Sequence, residues 1–491
     1  MPASFIPAFI LDLDSDRPLY RQVYDWFQQA ILEGRLRPGQ RVPSSRNLAA
    51  ELRISRIPVF NAYEQLCAEG YLETFVGAGT RVARSIPDEK LRAAPKRQIP
   101  RGSQTGAAAR RKSKRAALLA KATPQPWLRS QGAFRVSLPA LDHFPIEIWS
   151  KLVARHSRSL DWKTMAYGNA MGYAPFREAI AEYLSTVRGV HCQASQILVT
   201  TGSQQALQIC AHVLLDQGDF VAIEDPGYPG ARQAFRASGA HMVGIPLDDE
   251  GILVDALIRC RDSFRAVYIT PSHQYPLGVT MSAARRMQLL NWAARKGAWI
   301  IEDDYDSEYR FGSRPIVSLQ GMDKDARVVY IGTFSKVLFP AIRLGYVVVP
   351  QDLVVAFSAY RDAADIFPST LYQAVVTELI REGHFARHIR RMKMLYTKRR
   401  NCLVEALNER LGRQLEVIGS EAGMHLTALV ARGVDDFQIA RRAAERGISV
   451  MPLSSCYLHR AKQRGLILGF GACNEHQIKR AVGALEAIMK S

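Results

Sequence analysis

The chain has 491 residues and carries 65 Lys and Arg against 46 Asp and Glu, a formal net charge of +19. Its hydrophobic share of 47%, with 34 Gly and 24 Pro, excludes a disordered, collagen-like or repeat-dominated chain, and its length calls for about two to four domains. The seven cysteines are scattered, odd in number and without Cys-x-x-Cys spacing, which argues against a disulfide scaffold or a zinc cluster and for a reducing, cytoplasmic setting. No stretch approaches the roughly 18 uncharged apolar residues of a membrane helix. The opening MPASFIPAFILDLDSD is acidic where a signal peptide would be basic.

The charge is unevenly placed. Residues 1–83 hold nine basic and nine acidic side chains, and residues 84–130 hold 13 basic ones against Asp88 and Glu89 alone. The segment 84–130 is rich in Ala, Arg, Lys, Ser and Pro and shows no apolar period, so it reads as a basic flexible linker. It is either a solvated spacer or a tether that also grips nucleic-acid phosphates. Within it, residues 110–121 could form a short helix on binding.

Residues 1–83 read as a small α+β module. Leu19, Val23, Phe27 and Ile31, with Trp26 and Ala30, form one helical face that Gly34 ends. After the turn RPGQRVP, Ser44 or Ser45 can cap a short helix with Leu48, Ala49 and Leu52 inward. Ser55 can cap a third helix that tolerates Pro58 in its first turn and turns Val59, Tyr63 and Leu66 to the core. YLETFVGAGTRVA then alternates around Gly77 and Gly79 as a two-stranded wing would. This layout predicts a helix-turn-helix whose third helix enters the major groove of double-stranded DNA. Arg56 would lie near the bases and Arg46 and Arg81 near phosphates.

From residue 131, apolar runs (QILVTT, FVAIED, AVYIT, AWIIEDD, RVVYIGT, RLGYVVVP) alternate with helical stretches, which predicts an α/β domain with a mostly parallel sheet covered by helices. Four polar motifs stand at strand ends. TTGSQQAL (200–207) begins a helix and can hold an anion on its backbone N–H groups. EDPGYPG (224–230) presents Tyr228. IIEDDYDSEYR (300–310) delivers a carboxylate cluster, for which a metal role is conceivable although partnering histidines are not obvious. GTFSKVLFPAIRLGY (332–346) sets Lys336 between an apolar strand and a hydrophobic turn, a setting for a lowered amine pKa.

The runs PLYRQV, ILEGRLRPGQRVPSSRNLA (31–49) and EQLCAEGYL (64–72) closely resemble the GntR-type winged helix. By that resemblance Arg46 and Arg56 contact DNA, with Ser45 and Asn61 beside them, and the wing glycines Gly77 and Gly79 approach the minor groove with Arg81. Pro58 stands where that family usually has a Thr, so one phosphate contact is altered. The four later motifs, in order, resemble fold-type I pyridoxal-phosphate enzymes of the aspartate-aminotransferase kind over about 134–491. That resemblance implies pyridoxal 5'-phosphate as cofactor and Lys336 as the residue that forms its internal aldimine. Asp303 would pair with the ring nitrogen, Tyr305 would face the ring oxygen and Tyr228 would stack on the ring. Ser203, Gln204, Thr333, Ser335 and Arg343 would hold the phosphate, and Tyr167 would reach the phosphate of a partner subunit.

Three departures accompany it. Tyr275, in HQYPLG, replaces the usual Asn that faces the ring oxygen, and His273 or Gln274 could substitute for it. Asp303 and Tyr305 stand two apart instead of three, or one apart if Asp304 is the partner. Ile467 replaces the arginine that normally clamps a substrate carboxylate. Joined by a linker, the two modules resemble the MocR group of GntR regulators, which implies domains at 1–83, 84–130 and 131–491. It also implies a head-to-tail homodimer on an operator with two half-sites, located in the cytoplasm and at the nucleoid when bound. The effector would be pyridoxal phosphate or a small amino compound such as γ-aminobutyrate, taurine or a D-amino acid. At most weak or half-reaction transamination is expected. The competing readings are a true aminotransferase with a vestigial DNA-binding domain, and a non-catalytic interaction protein.

Overall fold

The computed structural model describes residues 11–12, 15–75, 79–85, 113, 116, 120, 131–311 and 316–490. Most of the 84–130 linker, including most of the helix considered over 110–121, and Gly77 lie outside the described residues. The chain divides into two compact units, Met1–Arg110 and Arg111–Ser491.

In the first unit, α1 (Leu19–Leu32) buries Val23, Tyr24, Phe27, Ala30 and Ile31, one stripe at helical spacing. Leu19 and Trp26 are only half-buried at its flanks. Gly34, at φ +73°, takes the left-handed conformation that ends the run. Ser44 caps α2 (Ser45–Glu51), its hydroxyl accepting from the Asn47 N–H. Ser55 occupies the cap position of α3 (Arg56–Ala68), but its side chain makes no cap bond. Val59, Ala62, Tyr63 and Leu66 of α3 pack inward, and the Tyr63 hydroxyl donates to the Pro43 carbonyl at 3.1 Å. Strands β1 (Leu72–Phe75) and β2 (Gly79–Val82) pair antiparallel, Leu72 against Val82. Arg41 bridges Arg81 on the outer side of β2, and the Val42 N–H donates to the Thr80 carbonyl, so the turn before α2 extends the wing.

The second unit is built on a seven-stranded sheet. Its strands in chain order are β3 (Ile197–Thr200), β4 (Phe220–Glu224), β5 (His241–Ile245), β8 (Phe264–Ile269), β9 (Trp299–Asp304), β10 (Val328–Thr333) and β11 (Gly345–Val348), with a two-residue hairpin, β6 (Leu247–Asp248) and β7 (Gly251–Ile252), between β5 and β8. The spatial order is β3-β11-β10-β9-β8-β4-β5. Only β11 runs antiparallel to its neighbours. β3, β10 and β11 are buried along their whole length, as strands sandwiched between helical layers must be. A smaller antiparallel sheet of β12 (Leu415–Ile418), β13 (His425–Val430), β14 (Met451–Pro452) and β15 (Gly465–Gly469), ordered β12-β13-β15-β14, forms the C-terminal lobe. Of these four, only β15 stands out in the sequence. β12 is only partly buried and β14 has two residues, too short for a period to register.

Candidate functional site

In an open parallel sheet the loops at the carboxyl ends of the strands meet on one side, and ligands bind there. Here the ends of β4, β8, β9 and β10 and the start of the helix Ser203–Leu214 open on one pocket. Its walls include Ser203, Tyr228, Tyr268, Asp303, Tyr305 and Lys336.

Strand alternation separates the carboxylates of β9. Glu302 accepts from the Leu319 and Gln320 N–H groups. Asp304 accepts from Arg188 Nε at 2.8 Å and the Tyr330 hydroxyl at 2.6 Å. Asp303 alone faces the pocket. Its Oδ2 accepts from the Tyr268 hydroxyl at 2.8 Å, while its Oδ1 is buried without a hydrogen-bond partner among the described residues. Burial raises its carboxyl to about 7, against the pull of the Tyr268 hydrogen bond. Of the two candidates for the ring-facing acid, the geometry therefore presents Asp303.

Lys336 follows the end of β10. Its Nζ donates to the Ser137 carbonyl at 3.1 Å, and burial lowers the amine to about 8, with Asp306 and Asp303 partly opposing. Beside it lies an anion cradle. Gly202, at φ +116°, precedes the helix that Ser203 begins, and a Cβ there would come within 3.5 Å of Arg343 Nη1. Ser335 N–H donates to the Thr333 hydroxyl at 3.2 Å. Gln204 is turned aside, its amide donating to the Gly230 carbonyl at 3.0 Å. Tyr167 is 83% exposed and absent from the pocket wall.

The altered turn before β9 is also resolved. Gln274 is not the substitute for the missing Asn, because its amide nitrogen donates to the Pro226 and Tyr275 carbonyls and its oxygen accepts from Leu277 N–H. His273 Nδ1 meets Asp306 Oδ1 at 3.0 Å and the Tyr305 hydroxyl at 3.0 Å. His273 therefore braces Tyr305 from behind. The Tyr275 hydroxyl meets Met451 Sδ at 3.1 Å. Tyr268, Thr270 and Ser137 were not singled out from sequence. Tyr268 and Thr270 sit in AVYIT, where two-residue alternation puts both on the face shared with Asp303. Ser137 lies 199 positions from Lys336, and no local pattern joins them.

These groups suit a phosphorylated pyridine aldehyde. An amine of lowered pKa would meet the aldehyde, and the free oxygen of a buried carboxylate would meet the ring nitrogen. A glycine turn at a helix start with an adjacent guanidinium would meet the phosphate.

In the first unit, the exposed faces of α2 and α3 carry Arg46, Arg56 and Asn61. Arg56 Nε donates to the Ser45 hydroxyl at 3.2 Å, which ties the start of α3 to the start of α2. Ile57, 69% exposed, and Phe60, 46% exposed, share that face. Gly79 takes φ +82°, and a Cβ there would press on Arg41. Arg81 Nη1 donates to the Gly39 carbonyl. Arg41, not singled out from sequence, thus belongs to the same basic edge as Arg81.

Residues 19–82 match the family model "Bacterial regulatory proteins, gntR family", and residues 140–485 match "Aminotransferase class I and II". The chain is 37% identical over 478 residues to the probable rhizopine catabolism regulatory protein MocR of Rhizobium meliloti, covering 97% of this chain and 95% of that one. It is 28% identical to the pyridoxine biosynthesis transcriptional regulator PdxR of Corynebacterium glutamicum, covering 93% of each. Among solved structures, the α-aminoadipate aminotransferase LysN of Thermus thermophilus superposes with a TM-score of 0.72 at 29% identity, over 77% of this chain and 97% of that one. The larger unit is a fold-type I aminotransferase-like domain whose cofactor is pyridoxal 5'-phosphate. With a DNA-binding winged helix ahead of that domain, and full-length relatives that carry both, the chain belongs to the MocR-type subfamily of GntR transcription regulators.

Proposed function

We propose that this chain binds an operator of two half-sites as a head-to-tail homodimer, and that the state of the Lys336 pocket sets how it binds. The reading rests on that pocket, where Lys336, the Asp303 carboxylate with its free Oδ1 and the Gly202–Arg343 turn lie together. When bound, pyridoxal phosphate supplies a reactive carbonyl on an electron-withdrawing ring, which amines engage reversibly. In the protein, the Lys336 amine would hold the cofactor and Asp303 would keep a proton on the ring nitrogen. Tyr228 would cover the ring, Tyr305 would orient its oxygen, and Ser203, Thr333, Ser335 and Arg343 would surround the phosphate. The effector is pyridoxal phosphate or a small amino compound. It can shift DNA binding only as far as it prefers one arrangement of the dimer over another.

Trp162, Met165 and Tyr167 are 73%, 70% and 83% exposed in one short stretch. A surface of that kind favours contact with a second copy, and a two-fold axis would present two winged helices to two half-sites. Ser45, Arg46, Arg56, Asn61 and Arg81, with the Gly77–Gly79 wing, would make the DNA contacts. Such a protein would work in the cytoplasm, at the nucleoid when bound. Among the described residues no helix is long and apolar enough to cross a membrane.

The test starts from an operator selected by the full-length protein from random duplexes. Lys336→Ala should abolish the visible absorbance of the bound cofactor and the effector's influence on operator affinity. Arg56→Ala should leave the absorbance intact and weaken operator binding about 5- to 150-fold, the value of a base-reading arginine. Wild-type operator affinity in Arg56→Ala, at fixed salt, would remove the recognition helix from the account.

A further inference from the structure

The pocket at Lys336 has two unlike sides. One side holds the charged groups described above. The other presents Val136, Pro229 and Tyr275, and Val136 and Tyr275 belong to a buried apolar cluster with Met451, Cys456 and Ile467 behind them, against which Tyr228 and Tyr305 pack. Ile467 is fully buried on β15, paired with Thr427 and Met451. Among the described residues that line the pocket, Lys336 is the only cation and Asp303 the only anion. The neighbouring guanidiniums are directed elsewhere. Arg343 stands at the Gly202 turn, and Arg232 donates to the carbonyls of Ser455 and Tyr457.

A ligand carboxylate placed against this wall would shed its hydration without an ionic or hydrogen-bonded partner, and would lie in the field of a second carboxylate. A neutral chain or ring would bury apolar surface there at no such penalty. We propose that the effector of this pocket is an amine without a carboxylate, its amino group at the Lys336 end and a neutral, apolar or weakly polar body against Val136 and Tyr275. This rests on the reading that the cofactor is held at Lys336.

Full-length protein loaded with pyridoxal phosphate is titrated with matched pairs, 2-phenylethylamine against phenylalanine and 3-methylbutylamine against leucine. The change in cofactor absorbance is followed, with calorimetric heat as a second readout. Each amine should half-saturate at a concentration at least about tenfold below its amino acid, the cost of one unpaired buried carboxylate. Equal or tighter binding of the amino acids overturns the proposal, as does silence towards every amine while the cofactor absorbance is intact. Absence of that absorbance from the wild-type protein would instead sink the cofactor reading beneath it. Tyr275→Arg should reverse the order within each pair and Tyr275→Phe should preserve it. Should the arginine variant fail to fold, the wild-type comparison decides alone.

Discussion

At the scale of single residues, burial sets the protonation of Lys336 and Asp303, and each also acts on the other through its charge. Burial brings the Lys336 amine down to about 8, and the Asp303 and Asp306 carboxylates hold it from falling further. Only the free base attacks a carbonyl. The rate at which cofactor-free protein captures pyridoxal phosphate should therefore climb as pH rises through about 8 and then level off. Asp303→Asn removes one of the two negative charges that favour the ammonium, so its midpoint should move to lower pH. Stopped-flow absorbance against pH measures both midpoints. A shift to higher pH in Asp303→Asn would show that the carboxylate does not act on the amine through its charge.

Much of this pocket's lining was legible in the sequence, because motifs at strand ends keep chain order and spacing. The choice between Asp303 and Asp304 was not legible. Both follow the same apolar run, and only the pleat of β9 and the distant Arg188 and Tyr330 decide which one turns away. That Asp306 would engage the Nδ1 of His273 was not legible either, because the pairing depends on how two loops meet.

At the scale of elements, α3, the proposed recognition helix, carries more than Arg56. Ile57 and Phe60 are exposed on the face of α3 that presents Arg56. In the major groove an exposed aliphatic group is complementary to a thymine methyl. Replacing the thymines of the selected operator by uracil should weaken wild-type binding, while Ile57→Ser should bind both duplexes alike. Equal wild-type affinity for thymine and uracil operators would count against the contact.

The long helix His384–Leu411 makes a different prediction. His388 is buried on it beside the Phe144 ring, and burial together with Arg391 lowers its imidazole from 6.5 to about 4. The folded protein thus holds it neutral, whereas the unfolded chain takes up a proton below about 6.5. Its contribution to stability is complete above that pH and is lost as pH falls towards 4, on the order of 3 kcal/mol in all. The thermal midpoint of the aminotransferase-like unit should fall across this window, and His388→Gln should flatten that fall. Superimposable curves for the two proteins would exclude the assignment. The amphipathic pattern of this helix is plain in the sequence. That a histidine on it is held neutral is not, because the cause is packing from residues some 240 positions earlier.

At the scale of the whole molecule, the question is where a charge of +19 does its work. The unit that reads DNA has no net charge over residues 1–83, while residues 84–130 hold 13 basic side chains and two acidic ones. On the proposed reading, specific contacts would need only a few placed groups, namely Arg46, Arg56 and the Arg41–Arg81 pair. The two arginines of that pair sit opposite each other in the wing, an arrangement that repels until an anion lies between them. Non-specific attraction instead scales with the number of phosphates neutralised and with the counterions released, and falls steeply with salt. If the linker grips phosphates, replacing its Lys and Arg by Gln should weaken binding to operator and unrelated duplex by a similar factor. The slope of log affinity against log salt should become shallower by about 0.9 for each phosphate that is no longer neutralised, with the preference for the operator retained. Fluorescence anisotropy on both duplexes across a salt series measures these quantities together. An unchanged slope would make the linker a spacer and leave the specific arginines as the whole of the electrostatic attraction. A weakening confined to the operator would place base-reading groups in the linker itself.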